Sequence, residues 1–144
     1  MKTFIPKVNS VEKKWHVVDV NGKILGRQAA KVARILMGKD KPTYTPFMDV
    51  GDFVVVVNAA KVRLSTGKKE ATKTYHWNTG YPTGHRQITF AKAVKASPER
   101  LFSDAVWGML PKGPLGRKML KKLKVYRDEK HPHAAQKPET LVVG

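Results

Sequence analysis

Between Gly108 and Arg127 the chain reads GMLPKGPLGRKMLKKLKVYR, with seven cations (Lys112, Arg117, Lys118, Lys121, Lys122, Lys124 and Arg127) and no acid. Taken as a helix from Leu115 at about 100° per residue, Leu115, Met119, Leu120 and Leu123 fall on one side. Arg117, Lys118, Lys121, Lys122 and Lys124 fall on the other. One face can dock on a core while the other holds a fixed row of positive charge. Cations that no local acid neutralises attract polyphosphate.

Two further groups point the same way. The segment Lys68 to Arg86, KKEATKTYHWNTGYPTGHR, interleaves Lys68, Lys69, Lys73 and Arg86 with Tyr75, His76, Trp77, Tyr81 and His85. Cations meet phosphates, and aromatic faces stack on unpaired bases at roughly 1–3 kcal/mol each. For Trp77, alternation into a core is an equally good reading, whereas Tyr81, His85 and Arg86 read as RNA contacts. Arg27, Lys31 and Arg34 stand at i, i+4 and i+7, opposite a stripe of Leu25, Ala29, Val32, Ala33 and Leu36. Like charges so spaced repel by a few tenths of a kcal/mol per pair, so that side wants solvent or phosphate. Lys39 and Lys41, just beyond, extend the same group.

Motifs for other chemistry are incomplete. Ser65-Thr66-Gly67-Lys68-Lys69 resembles a phosphate loop, but Val62 stands where its first Gly belongs and Lys69 where Ser or Thr must follow the Lys. It reads as a basic turn. Gly22 and Gly26 join a strand to a helix without the third glycine or the acidic ribose ligand of a dinucleotide site. His131 and His133 are close, yet two imidazoles without Cys or carboxylates make a thin metal site. Contact with RNA, or a plain surface position, suits them better. Asp49 and Asp52 flank Gly51 and read as turn residues capping backbone N–H groups rather than as an acid/base or Mg²⁺ pair. No nucleophile–base pair can be assembled, so no catalytic residue, metal, cofactor or small-molecule substrate is assigned.

The elements that must position these groups fit one domain. The chain has 144 residues, 41% hydrophobic and 27% charged, which excludes disorder throughout. Twenty-eight Lys and Arg against eleven Asp and Glu give +17 and a pI near 10.2. Self-repulsion on that scale asks for an anionic partner, with nucleic acid ahead of an anionic membrane. The absence of Cys excludes disulfides and thiolate metal sites. No run approaches the roughly 18 apolar residues of a membrane span, and the N-terminus lacks a signal or transit pattern, so cytoplasm is expected.

Residues 1–14 read as an extended arm, 15–127 as the domain and 128–144 as an extended tail. Trp15 to Val20 is a short strand ended by Asn21-Gly22, and Leu25 to Met37 a helix closed by Gly38. Phe53 to Val57, FVVVV, is a strand covered on both faces, hence in a parallel sheet. Strand, helix and buried strand make a βαβ unit and an α/β fold. Two weak strands flank Ser65-Thr66-Gly67, with a loop to Gly84. Helices follow at Phe90 to Ala96, from Ser97-Pro98 to Leu110, and through the basic segment.

Taken together, GKILGRQAAKVARILMGKDKPTYTP, GDFVVVVNA, TGKK, TGYPTG, GMLPKGPLGRKMLKKLKVY and HPHAAQKP resemble the bacterial-type L-thirteen family of large-subunit ribosomal proteins (universal uL-thirteen). The resemblance runs from about Trp15 to Pro138. Thr83, Gly84 and His85 depart from the family's commoner Gly-Gly-aliphatic sequence after the Tyr-Pro turn. The resemblance implies a three-layer α/β/α domain around about four mainly parallel strands, with basic extended termini. It implies a non-catalytic role: binding large-subunit rRNA directly and early, next to neighbouring ribosomal proteins, so that the RNA folds correctly. Arg27, Lys31 and Arg34 would follow one backbone, while the Tyr81 to Arg86 turn and the Arg117 to Lys124 row would clamp others. The rivals are a small nucleotide-binding or RNA-processing enzyme, for which no acid/base groups assemble, and a membrane-adsorbed protein. The second needs an exposed apolar helix face that the core would use.

Overall fold

Val18, Val20, Val54 and Val56 are almost wholly removed from water and point from one face of a parallel sheet. The computed structural model that shows this describes residues 5–7 and 10–141. Four strands build the sheet: β1 (Trp15–Asp19), β2 (Phe53–Val57), β5 (Leu123–Val125) and β6 (Glu139–Thr140), in the order β5-β2-β1-β6, all parallel. Val54 to Val57 are all buried, as a central strand sealed on both faces requires. The expected α/β domain around a mainly parallel sheet is present.

Helix α1 spans Leu25–Met37, and its stripe of Leu25, Ala29, Val32, Ala33 and Leu36 is buried. It stops at Gly38, whose φ of 77° is a left-handed conformation suited to glycine. The amides of Gly38 and Lys39 then donate to Ile35 and Arg34 carbonyls, closing the helix end. Helix α4 (Pro98–Trp107) starts on the expected N1 proline, and α5 spans Pro114–Lys121. Phe102, Val106 and Met119 from these helices join the valines in one core, each worth about 1.5–3 kcal/mol of burial.

α1, α4 and α5 pack on one another. Crossovers β1→β2 and β2→β5 step in the same direction along the sheet, and right-handed connection places both sets of helices on one face. The return from β5 to β6 crosses the other face as a thin third layer, with a 3₁₀ helix at His133–Gln136. There Trp15 stacks on Phe53 at 4.4 Å and 6°, and His133 lies 5.1 Å from Trp15.

Four local expectations change. The weak strands around Ser65 to Gly67 give way to a helix, α2 (Gly67–Thr72), with only a single bridge between Ile24 and Arg63. The expected loop to Gly84 contains β3 (Thr74–Asn78), which pairs antiparallel with β4 (His85–Thr89) before α3 (Phe90–Ala96). α4 ends at Trp107 rather than Leu110, and α5 ends at Lys121, so Leu123 and Lys124 belong to a strand. The tail supplies the edge strand β6, held by the sheet's backbone ladder. Of the N-terminal arm, Lys14 is fixed by its amide to Asp52 Oδ1 at 2.9 Å and Glu12 by its carbonyl to Lys41 Nζ at 2.7 Å. Residues 1–4 and 8–9 of the arm and 142–144 of the tail lie outside the described residues.

Candidate nucleic-acid interface

The cations fall into two populations. Arg27, Lys31 and Arg34 are exposed on α1, opposite its buried stripe, with Lys39 exposed just beyond. Arg117, Lys118 and Lys121 are exposed on α5, opposite buried Gly116 and Met119, and Lys124 is exposed on β5. Among the described residues, none of these is ion-paired except Arg34, which reaches Asp40 at 2.8 Å. α1 and α5 are packed neighbours, so two rows of cations, paired with an acid only at Arg34 among the described residues, stand on adjoining helices.

Lys122 belongs to the other population. The sequence placed it on the exposed row, yet it is only 4% exposed. α5 has ended one residue earlier, so the Lys122 side chain turns inward. Its ammonium donates to Asp49, to the Leu36 carbonyl at 3.1 Å and to the Gly51 carbonyl at 2.9 Å. All three donors have acceptors. Leu36 is in the last turn of α1, where a cation also meets the negative end of the helix dipole. Burial pushes the Lys122 pKa down, with Asp49 opposing. Gly51 must be glycine here: a Cβ would lie 1.8 Å from the Leu36 carbonyl oxygen.

Lys41, another expected RNA contact, is also engaged. It pairs with Asp52 at 2.6 Å, while Lys13 pairs with Asp49 at 3.1 Å. Burial raises the Asp52 pKa, but bonds from Lys41, the Lys14 amide and His16 outweigh it and leave the carboxyl below its ordinary value. Instead of capping their own turn, both carboxylates anchor buried or half-buried cations, and Asp52 also accepts the N–H of Lys14, 38 residues away. Other acids are occupied too: Asp19 by Asn58 and the Asn21 amide, Glu70 by the Leu64 amide. Few remain to neutralise the outer rows.

Lys68 and Lys69 are exposed on α2. Lys73 lies 5.4 Å from the Tyr75 ring centre. The β3–β4 hairpin is exposed along most of both strands, with Trp77 paired across from Arg86 and Asn78 across from His85. Trp77 is 49% exposed and Tyr81, at the tip, 75%. The even choice for Trp77 thus resolves toward the surface, while Tyr75 is half-buried against the core. His76 and His85 stack at 5.2 Å. Lys112 is exposed, but its ammonium donates to the Trp107 carbonyl and sits 4.5 Å from that indole's centre.

The two tail histidines serve the fold. His133 Nε2 meets the Tyr126 hydroxyl at 2.7 Å, and its amide donates to His131 Nδ1 at 3.3 Å. Burial first, then like-charge repulsion from the His131 and Lys124 side chains, lowers the His133 pKa. Among the described residues no cluster of three or more His, Cys, Asp or Glu could hold a metal, and no helix is long and apolar enough to cross a membrane. Sequence reading missed the groove between the hairpin and α4, which brings Trp77 to Ser97, Arg100 and Asp104. No local pattern joins residues that far apart.

Fold and surface define a small, strongly basic α/β domain with its free cations gathered on outward helix faces and an aromatic hairpin. Comparison makes the class specific. The family model described as Ribosomal protein L13 matches residues 13–132. The large ribosomal subunit protein uL13 of Dictyoglomus thermophilum is 60% identical over 142 residues, covering 98% of this chain and 99% of its own. Its namesake in Caldanaerobacter subterraneus subsp. tengcongensis is 57% identical over 141 residues, covering 98% of each chain. That of Thermotoga maritima is 56% identical over 140 residues, 97% of this chain and 93% of its own. The chain belongs to the ribosomal protein L13 family.

Proposed function

We propose that this protein is a structural constituent of the large ribosomal subunit in the cytoplasm. It binds large-subunit rRNA directly and early, and it stabilises the RNA fold during assembly alongside neighbouring ribosomal proteins. It catalyses no reaction. The observation that carries the reading is the division of cations: those in the interior are paired, while the α1 and α5 rows face outward almost without acids. Such rows release counterions from RNA and screen phosphates, so that RNA helices can approach each other. The interface comprises Arg27, Lys31, Arg34 and Lys39; Lys68, Lys69 and Lys73; Tyr81, His85 and Arg86; and Lys112, Arg117, Lys118, Lys121 and Lys124. Lys122, Lys41 and His133 leave this set because each is engaged inside the protein, and His131 follows its partner.

The test is filter binding of a large-subunit rRNA transcript to the wild type and to Arg117→Glu combined with Lys121→Glu. The variant is expected to fold normally and to bind at least tenfold more weakly, with a shallower dependence on salt. Unchanged affinity would show that the α5 row faces something else. Early binding is tested by order of addition: assembly of the subunit should stall when this protein is withheld from the first step and added last.

A further inference from the structure

Between the β3–β4 hairpin and helix α4 lies a groove of about 570 Å³, within the range of small-ligand sites. Tyr75, Trp77 and Leu101 supply apolar surface, and Ser97, Arg100 and Asp104 supply polar groups on the α4 side. Trp77 is half-exposed although its neighbour on the same face of the hairpin, Tyr75, is tucked toward the core. An apolar groove with a few polar groups on one wall has the form of a binding site.

We propose that this groove receives one unpaired nucleobase, stacked on Trp77; the inference rests on the RNA-binding reading above. Charge selects this occupant. Arg86 stands directly across the hairpin from Trp77, Lys73 approaches the Tyr75 ring at 5.4 Å, and Arg100 lies on the opposite wall. Arg100 lines the groove and the other two cations adjoin its aromatic residues, against a single carboxylate among the lining residues, Asp104, which sits 3.7 Å from Arg100. A base inserted edge-first presents a flat apolar face to the indole and leaves its phosphates at the cationic rim. Ser97 and Asp104 then offer a hydroxyl and an acceptor to the base edge.

The probes are a six-nucleotide oligoadenylate and an abasic ribose-phosphate oligomer of the same length. Each is titrated into the full chain while indole N–H signals are followed by NMR. Trp77→Leu assigns the Trp77 signal, and unchanged Trp15 and Trp107 signals show that the variant is folded. Oligoadenylate should shift the Trp77 signal and bind Trp77→Leu about tenfold more weakly. The abasic oligomer should leave that signal in place and bind both proteins equally. Ala105→Phe, which fills the groove while keeping Trp77, should match the Trp77→Leu loss. An equal shift with the abasic oligomer, or full affinity in both variants, overturns the proposal. Binding of the rRNA transcript by the wild type separates the two levels. Tight rRNA binding with an unmoved Trp77 signal sinks the groove alone, whereas no rRNA binding removes the wider reading with it.

Discussion

Lys121 and Lys122 are neighbours in sequence with opposite fates. Lys121 is the last residue of α5 and projects into solvent without an acid, whereas Lys122 turns into the protein to meet Asp49 and two backbone carbonyls. The same side chain does two physical jobs. At Lys122 it ties the C-terminal turn of α1 to the turn before β2, so its charge is a structural part. At Lys121 the charge has no acid partner among the described residues and is available to a phosphate. Net charge alone therefore overstates the binding surface. What matters is which cations lack an internal acceptor.

The sharpest break of that comparison is Lys122→Met against Lys121→Met. Removing the buried ammonium leaves Asp49 with Lys13 alone, and the Leu36 and Gly51 carbonyls lose a donor. The expected loss is about 2–4 kcal/mol for Lys122→Met, chiefly from the two carbonyls left without a donor, but within about 0.5 kcal/mol for the surface substitution. Denaturant unfolding of both variants gives the answer, and equal midpoints would contradict the division. Affinity for rRNA should run the other way, falling for Lys121→Met and holding for folded Lys122→Met.

Asp52→Asn sharpens the structural side through pH. The Asp52 pKa is lowered in the fold, so its stabilisation is fully present above the ordinary carboxylate value and drains away as pH falls through the lowered one. At pH 7 the variant should be less stable by about 2 kcal/mol, the scale of hydrogen bonds to a charged group. That deficit should shrink in acid, where the wild-type carboxyl is itself protonated. Stability measured from pH 7 down to pH 2 that kept a constant gap would show that Asp52 acts through packing and not charge.

The uneven legibility of the sequence has the same origin. α1 was readable because its stripe and its terminal glycine lie within fourteen residues of one another. FVVVV was readable because a strand sealed on both faces needs no alternation. The hairpin was missed for the converse reason: β3 and β4 bury little, and the Tyr75–Trp77 alternation is too short to mark a strand by itself. Lys122 was misplaced because a helical wheel assumes the helix continues, and the acceptor that draws this side chain inward is 73 residues away. Among site residues, the outward rows on α1 and α5 could be found locally, while the buried network and the groove depend on contacts that only the fold creates.

The smallest effect is also the most discriminating, because it asks for opposite signs from one substitution. Lys31 sits between Arg27 and Arg34 on the outer side of α1, where Arg34 has Asp40 but no acid pairs with Lys31 among the described residues. Like charges at these spacings cost a few tenths of a kcal/mol each. Lys31→Gln keeps helix propensity nearly constant and should therefore stabilise the free protein by about 0.3–0.6 kcal/mol at low salt. Bound to rRNA, the same change removes one phosphate contact and should lower the slope of log affinity against log salt by about one. A row kept for folding would lose stability on substitution, and a row idle in both roles would change neither quantity. Only a row held against its own repulsion for an anionic partner gives a more stable protein that binds less well.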